Sequence, residues 1–229
     1  MASEFTVIIP MRAGSKGVPR KNLRSLAGTP LYRHSVDHAL NLDASRIIVS
    51  TDIPTSELNL PGGVEVLRRP SQLADDDTKM SDVITHAVAS CGIAGKVLLL
   101  QPTSPIRLLA SSLECLAMLS DPHEDAMVMS VSLADRSVLK WGTIGPDGTF
   151  SSLAKDSSTC FANRQTLPQV YRPNGSLYAF YAERFAALSG FPTRKIYPLV
   201  LSPPYDVDVD TIEDFERCET ILLSIKTIE

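Results

Sequence analysis

Long apolar runs are missing from this sequence of 229 residues. No stretch approaches the roughly 18 consecutive apolar residues that a membrane-spanning helix requires. The first ten residues, MASEFTVIIP, include an acid at position 4 and no extended apolar core of the kind found in signal peptides. We therefore expect a cytoplasmic protein with no membrane partner.

Cysteine is scarce and positive charge is not in excess. The four cysteines, at positions 91, 115, 160 and 218, are widely spaced and form no C-x-x-C pair, which argues against a zinc finger or a redox motif. The 22 Lys and Arg residues are outnumbered by 26 Asp and Glu residues. The net charge of −4 argues against nucleic acid as a partner.

Two common nucleotide-binding motifs are also absent. The sequence contains neither the P-loop pattern G-x-x-x-x-G-K-[ST] nor the dinucleotide fingerprint G-x-G-x-x-G. A nucleotide site in this chain must therefore be built in another way.

Strand-like and helix-like segments alternate through the first 140 residues. Short apolar runs predict buried strands, and apolar residues at helical spacing predict helices. Such alternation is typical of an α/β fold, in which helices cover both faces of a mostly parallel sheet. The run KVLLLQ is the most apolar and predicts the central strand. The predicted strands are 5–10, 46–51, 64–69, 96–101 and 126–133, and the predicted helices are 30–40, 80–91 and 109–119.

The pattern changes after residue 140. Residues 141–171 show little periodicity and include the turn sequence GPDGT. Strand character resumes at 176–181 and 195–200, and a final helix is predicted over 212–225. We expect a single domain over residues 1–229, with an insertion at roughly 140–195.

A cationic loop follows the first predicted strand. Residues 11–24, MRAGSKGVPRKNLR, contain two glycines, no acid and a cluster of Arg and Lys side chains. In parallel sheets, ligands bind beyond the carboxyl ends of the strands. Glycine lets the backbone approach a phosphate, and Arg and Lys supply charge and donors. The loop predicts a phosphate-binding site, and the alternative is a solvated basic turn.

An acidic segment, YDVDVDTIEDFE, lies near the other end of the chain. In an extended strand the carboxylates of Asp206, Asp208 and Asp210 would point to one side, about 6–7 Å apart for neighbours. A cation would relieve their repulsion, and Mg²⁺ is a hard ion that prefers oxygen ligands and accompanies phosphates. We predict Asp208 and Asp210 as metal ligands and Asp206 as a flanking group.

Helix capping is the alternative interpretation of the same segment. Asp210 or Thr211 could cap the final helix, with Glu213 or Asp214 reaching back to it. A cationic loop and a carboxylate pair are, however, complementary parts of a nucleotidyl-transfer site. We therefore expect the two ends of the chain to meet across one nucleotide.

Two further segments carry candidate ligands. Gln101 ends the predicted central strand and offers both a donor and an acceptor. Arg164, Arg172 and Asn174 precede a later strand and suit an anionic partner, although surface ion pairs explain arginines equally well.

Together these segments resemble the CMP-sialic acid synthetase family, also called the acylneuraminate cytidylyltransferases. The resemblance runs from about residue 5 to residue 219. The usual first motif is closer to RGGSKG, so Ala13 departs from the family pattern. The motifs that carry the resemblance, in order, are RAGSKGVPRKN, IVSTD, RRP, QPTSPIR, LPQVYRPNGSLY and DVDVDT.

The resemblance implies a Rossmann-like nucleotidyltransferase domain with a small dimerisation lobe, and hence a homodimer. It implies that CTP and an acidic nine-carbon α-keto sugar, with Mg²⁺, give a CMP-sugar and pyrophosphate. Sialic, legionaminic and pseudaminic acids share the reacting part of such a sugar. The alternatives are a cytidylyltransferase for 3-deoxy-octulosonate or a non-catalytic nucleotide-binding regulatory protein.

The resemblance also assigns roles to residues. Arg12 and Lys21 match the catalytic positions that bind the triphosphate, and Asp208 and Asp210 match the metal-binding aspartates. The positions that match substrate-binding residues are Ser15, Asn22, Arg69, Gln101, Lys140, Arg164, Arg172 and Asn174.

Overall fold

The computed structural model of the chain describes residues 3–15 and 17–226. None of its helices, within those residues, combines the length and apolar character of a membrane span. The strands are β1 Ser3–Pro10, β2 Ser25–Leu26, β3 Thr29–Pro30, β4 Ala44–Thr51, β5 Val64–Arg68, β6 Lys96–Leu100, β7 Ala126–Ala134, β8 Gly142–Ile144, β9 Phe150–Ser152, β10 Val170–Tyr181 and β11 Lys195–Val200. The α-helices are α1 Leu31–Leu40, α2 Met80–Cys91, α3 Leu109–Ala117, α4 Ala182–Leu188 and α5 Ile212–Lys226.

Seven strands form one sheet in the order β11-β7-β10-β6-β1-β4-β5. Strands β6, β1, β4 and β5 are mutually parallel, and β11 is parallel to β7. Strand β10 is antiparallel to β6. The predicted α/β fold with a mostly parallel sheet is confirmed, and β6 occupies the centre, as its apolar sequence predicts.

Helices cover both faces of this sheet. Along β1, Val7 and Ile9 pack on one face and Ile8 on the other, and all three are fully buried. Helices α1 and α3 contribute to the first core, and α2 and α4 to the second. Because successive side chains of a strand alternate between faces, a strand covered on both faces must be apolar at nearly every position. This explains the continuous run FTVII.

Two short elements carry no detectable signal in the sequence. The hairpin of β2 and β3 turns at Ala27 and Gly28, whose φ angles are 51° and 84°. Positive φ at both turn residues is the geometry of a type I′ turn, but strands of two residues have no measurable period. Helix α4 is only seven residues long, which is shorter than the window that reveals helical periodicity.

The chain divides into two compact units, Met1–Val131 with Asn174–Glu229, and Ser132–Pro173. The second unit starts at Ser132, earlier than the predicted start of the insertion at about 140. It stops at Pro173, earlier than the predicted end at about 195. Residues 174–195 belong instead to the main unit, to which they contribute most of β10 and all of α4.

The unit Ser132–Pro173 is built from short elements. Its hairpin of β8 and β9 closes where the backbone nitrogen of Gly145 donates to the carbonyl of Thr149, at 2.9 Å. The predicted GPDGT turn is therefore confirmed. Three short 3-10 helices, Arg136–Lys140, Ser157–Phe161 and Arg164–Thr166, account for the absence of a helical period.

Candidate active site

The carboxyl ends of four adjacent parallel strands form the floor of the candidate site. In the sheet register Pro10 pairs with Ser50, and Thr51 pairs with Arg68, so the ends of β1, β4 and β5 lie side by side. Strand β6 ends on the other side of β1. The residues that follow these four strands are thereby gathered at one edge, where α/β sheets bind ligands.

A cavity of about 290 Å³ opens at this edge. It brings together six of the site residues predicted from the sequence. It is also lined by three residues that the sequence analysis missed, Asp75, Asp76 and Thr78. The six predicted residues are Arg12, Ser15, Lys21, Asn22, Arg69 and Gln101.

Two side chains hold the backbone of the cationic loop in place. The nitrogen of Ala13 donates to Asp52 Oδ1 at 2.8 Å, and Asn22 Nδ2 donates to the carbonyl of Arg12 at 2.9 Å. Asn22 is buried, and its side-chain amide is used for this hydrogen bond within the loop. Asp52 comes from the IVSTD motif and supports the loop across strands. Lys16, which also belongs to the cationic loop, lies outside the described residues.

The departure from the family pattern at Ala13 has no backbone consequence, because among the described residues Ala13 is not one of those with positive φ. Gly17 is more restricted. A Cβ at Gly17 would lie 2.2 Å from the carbonyl oxygen of Asp210, well inside van der Waals contact. Glycine is therefore needed where the loop meets the acidic segment.

The two ends of the chain meet at Lys21. Its ammonium group is buried and donates to the carbonyl of Val209 at 2.6 Å and to Asp210 Oδ1 at 3.1 Å. The residues are 189 positions apart in sequence. The convergence of early cations and late aspartates, which the nucleotidyl-transfer hypothesis requires, is present.

The acidic segment does not adopt the extended strand in which its three carboxylates would share one side. Residues 203–206 are a turn, and residues 207–210 have no regular secondary structure. Of the two residues considered as the cap of the final helix, Asp210 and Thr211, only Thr211 caps it. Thr211 and Asp214 form a reciprocal capping box, in which Asp214 Oδ2 accepts from the Thr211 nitrogen at 3.0 Å and Thr211 Oγ1 accepts from the Asp214 nitrogen at 3.1 Å. The carboxylate of Asp210 is thus not used as the cap.

Asp208 and Asp210 have different surroundings. The side chain of Asp210 is 71% exposed, whereas Asp208 is partly buried. Burial and, secondarily, the charge of Asp208 raise the pKa of Tyr178. The same charge acts against the larger effect of burial on Arg107, whose pKa is lowered to about 9. Neither aspartate lines the cavity, and Asp210 adjoins it through Lys21.

Arg69 is a buried cation at the end of β5. Its Nη2 donates to the carbonyl of Ser50 at 2.9 Å, and its backbone nitrogen donates to the carbonyl of Thr51 at 2.7 Å. Its Nε is buried with no hydrogen-bond partner. Burial lowers the pKa of Arg69, the charge of Asp52 raises it, and the charge of Arg12 lowers it. A buried guanidinium with a spare donor at a cavity wall suits an anionic or carbonyl-bearing ligand.

Arg12 is engaged by an acid that the sequence analysis did not select. Its Nη2 lies 2.7 Å from Asp76 Oδ1. The run ADDDTK has no strand or helix signal and resembles a solvated loop, which is why the pairing could not be anticipated. A bound phosphate would meet Arg12 next to this carboxylate.

Gln101 and Asn174 lie close together but differ in their environment. Gln101 lines the cavity, and a Cβ at Gly175 would lie 3.4 Å from Gln101 Oε1. Asn174 is 2% exposed, and its Oδ1 accepts from Ser130 Oγ at 2.6 Å and from the nitrogen of Ser176 at 3.2 Å. Asn174 therefore shapes β10 beside the site, and its predicted contact with substrate stays a prediction.

Three predicted ligands, Lys140, Arg164 and Arg172, belong to the unit Ser132–Pro173. Arg164 pairs with Asp135 within that unit, at 3.1 Å, and both side chains are more than half exposed. Arg172 is exposed and Lys140 is partly buried. Their roles as sugar ligands stay predictions.

The predicted magnesium ligands fit the ion in one respect. Within the described residues, no group of three or more His, Cys, Asp or Glu side chains is arranged to hold a metal. Mg²⁺ does not need such a cage, because it retains several waters and is bound through one or two carboxylates together with substrate phosphates. An exposed Asp210 carboxylate beside Lys21, two residues from Asp208, is a donor set of that kind.

Known proteins resemble this chain over most of its length. A family model described as Cytidylyltransferase matches residues 6–219. N-acylneuraminate cytidylyltransferase from Streptococcus agalactiae is 30% identical over 213 residues, which cover 91% of this chain and 51% of that protein. The chain thus spans about half the length of this curated relative.

Two further matches cover nearly the whole of both partners. CMP-N,N'-diacetyllegionaminic acid synthase from Legionella pneumophila is 30% identical over 230 residues, with 94% of each chain covered. The solved structure of CMP:2-keto-3-deoxy-manno-octonic acid synthetase complexed with CTP aligns with a TM-score of 0.71 at 16% identity, covering 97% of this chain and 99% of that one. The structural match supports the fold.

Proposed function

Because the chain belongs to the cytidylyltransferase family, we propose that it transfers CMP from CTP to a nine-carbon α-keto acid sugar. The single observation that carries the proposal is the cavity that gathers Arg12, Lys21, Asn22, Arg69 and Gln101 at the carboxyl edge of the sheet. A relative of matching length is named as a synthase of a CMP-activated nine-carbon sugar acid. That relative supports the choice of substrate class.

In the proposed reaction, the 2-hydroxyl oxygen of the sugar forms a bond to the α-phosphorus of CTP. The bond from the α-phosphorus to the bridging oxygen breaks, pyrophosphate leaves, and the hydroxyl proton is released. Arg12 and Lys21 bind the triphosphate and stabilise the charge that builds up on the departing group. Buried or partly buried cations are effective here because water screens them little.

Asp208 and Asp210 would hold Mg²⁺ in this proposal. The ion, when bound, neutralises phosphate charge and polarises the reacting phosphorus. Lys21 keeps Asp210 next to the cationic loop through its hydrogen bonds to the Val209 carbonyl and to Asp210 Oδ1. Gln101 would bind the sugar beside the α-phosphate, so that attack occurs within one complex.

We also propose that the protein acts as a homodimer in the cytoplasm. The unit Ser132–Pro173 exposes several large apolar side chains, which suits an interface between two copies. All four cysteines are free, as expected in a reducing compartment. The exposed side chains are Trp141 at 60%, Ile144 at 78%, Phe150 at 58%, Leu153 at 60% and Phe161 at 92%.

Pyrophosphate release tests the proposal directly. The purified chain is incubated with CTP, Mg²⁺ and, separately, sialic, legionaminic and pseudaminic acids and 3-deoxy-octulosonate. We expect release with at least one nine-carbon acid and none with GTP or UTP. Release only with 3-deoxy-octulosonate would reassign the sugar, and release only with another nucleotide would refute a cytidylyltransferase.

A further inference from the structure

Arg107 is a partly buried arginine behind the candidate site that no part of the proposed reaction uses. It ends the motif QPTSPIR, which begins at Gln101. It does not line the cavity, so it has no place among the direct ligands of CTP. Its guanidinium nevertheless makes three hydrogen bonds.

The guanidinium of Arg107 connects three elements of the main unit. Its Nη2 donates to the carbonyl of Gln101, its Nε donates to the carbonyl of Ser176 in β10 at 3.1 Å, and its Nη1 donates to Ser35 Oγ in α1 at 2.9 Å. Ser35 and Ser176 are fully buried. The planar fork of arginine can satisfy three acceptors at once in fixed directions, which lysine cannot do.

The bond from Arg107 to the Gln101 carbonyl closes the segment 101–107 into a ring. In the middle of this ring the carbonyl of Thr103 accepts a hydrogen bond from the nitrogen of Val209, at 2.7 Å. Val209 is fully buried between the two predicted metal ligands and also accepts from Lys21. This hydrogen bond therefore fixes the acidic segment against the ring.

Charge couples Arg107 to the same segment. Burial lowers its pKa to about 9, and the carboxylate of Asp208 raises it, so the guanidinium is charged at neutral pH. A partly buried charge is stabilised by an opposite charge nearby. The carboxylate of Asp208 is an opposite charge of this kind, and the hydrogen bond from Val209 to Thr103 ties the neighbouring backbone to the segment 101–107.

We propose that Arg107 is a positioning residue that holds the ring 101–107 and Asp208 in the arrangement required for Mg²⁺-dependent binding and turnover of CTP. This inference rests on the proposed function. Arg107 touches neither CTP nor the sugar. It acts by keeping the carboxylates of the acidic segment and the side chain of Gln101 correctly placed relative to the cationic loop.

Two matched pairs of variants test the inference. Arg107→Lys keeps the charge and removes the fork, and Arg107→Met removes both. Ser35→Ala removes one acceptor of Arg107 in a milder way. Ser112→Ala is its control, because Ser112 is also a fully buried serine of the same helical layer, and its hydroxyl pairs with His38 Nε2 at 2.8 Å instead of with Arg107.

The measurements separate positioning from general destabilisation. CTP affinity is measured by calorimetry with Mg²⁺ and with a chelator, and initial rates are measured against Mg²⁺ concentration. For Arg107→Lys we expect kcat to fall about 10- to 100-fold and the half-saturating Mg²⁺ concentration to rise about tenfold, as for other residues that orient metal ligands. CTP affinity in the chelator should change less than about threefold, because Arg12 and Lys21 are untouched.

Ser35→Ala should shift kcat and Mg²⁺ dependence in the same direction by about two- to fivefold, and Ser112→Ala should leave both unchanged. If the Arg107 variants do not fold, the serine pair decides. Wild-type Mg²⁺ dependence in Arg107→Lys, or equal effects of the two serine variants, would overturn the inference while leaving the proposed function standing. Failure of the wild-type chain to bind CTP at all would instead remove the proposed function and this inference together.

Discussion

Replacing Lys21 by Met tests the meeting of the two ends of the chain in the most informative way. Methionine retains the apolar stem and lacks the ammonium group. The substitution removes the 2.6 Å hydrogen bond to the Val209 carbonyl and the 3.1 Å contact with Asp210 Oδ1. It leaves the fold of the cationic loop otherwise intact, because Asn22 and Ala13 hold that loop through other atoms.

The size of the effect on stability follows from burial. A hydrogen bond to a charged group contributes about 1.5–3 kcal/mol to the free energy of unfolding. The Asp210 carboxylate is 71% exposed, so its ion pair adds at most about 1 kcal/mol. We expect a loss of about 2 kcal/mol, which lowers the Tm of a chain of this length by about 4–8 °C.

The effect on catalysis should be much larger than the effect on stability. Removing one group that stabilises developing charge typically lowers kcat about 10²- to 10³-fold. The control is Lys96→Met, because Lys96 also donates its ammonium to a backbone carbonyl, that of Leu116 at 3.0 Å, but lies at the start of β6. The control should melt at a lower temperature and retain kcat/KM within about twofold. Turnover in Lys21→Met within about threefold of the wild type would refute the reasoning.

Three further substitutions have distinct expected outcomes. Asp210→Asn should lower kcat about 100-fold and raise the Mg²⁺ concentration for half-maximal rate, and an unchanged Mg²⁺ titration would exclude Asp210 as a ligand. Gly17→Ala should weaken CTP binding measured by calorimetry, because its Cβ would lie 2.2 Å from a carbonyl oxygen, whereas a Cβ at Gly62, which does not line the cavity, has no atom within 4 Å, so Gly62→Ala should bind CTP normally. Burial and, secondarily, the charge of Arg107 lower the pKa of His38 to about 3. As the pH falls below about 6.5, His38 is therefore protonated in the unfolded chain before it is protonated in the folded one. The free energy of unfolding should decrease by about 2 kcal/mol between neutral pH and pH 5. Urea denaturation at pH 7 and pH 5 should show a smaller loss for His38→Gln, and an equal loss would contradict this assignment.

The sheet and its main helices could be predicted because each buries a long apolar pattern. Helix α2 and strand β11 have the predicted bounds, and β6 is central because a strand enclosed by neighbours and covered on both faces tolerates no polar break. Hairpin β2–β3 and helix α4 escaped prediction because they are too short to show a period. Local periodicity thus recovers the layers of the fold and misses the small elements between them.

The cavity was predictable where its residues follow directly from strand ends. Arg12 comes two positions after a predicted strand, and Arg69 and Gln101 are the last residues of predicted strands, so a parallel sheet places all three at one edge. Asp206, Asp208 and Asp210 do not lie in a strand. The alternation of Val and Asp indicates only that Val209 is buried, and a loop can bury that side chain as well as a strand can.

Contacts between distant segments were beyond the reach of one sequence. The pairing of Arg12 with Asp76 and the three hydrogen bonds of Arg107 join residues that no local pattern connects. The only available signal for Arg107 was its position at the end of a proline-rich motif next to Gln101. Such a signal marks a residue of interest and does not reveal what it holds.

Direct observation of the phosphorus chemistry tests the central claim. Phosphorus NMR of a mixture of the chain, CTP, Mg²⁺ and a nine-carbon keto-sugar acid distinguishes a CMP phosphodiester from nucleoside di- and triphosphates. We expect loss of the three CTP resonances and growth of one phosphodiester signal and one pyrophosphate signal of twice its area, because pyrophosphate contains two equivalent phosphorus atoms. Formation of CDP and inorganic phosphate, or a CTP spectrum that does not change with any such sugar, would contradict it.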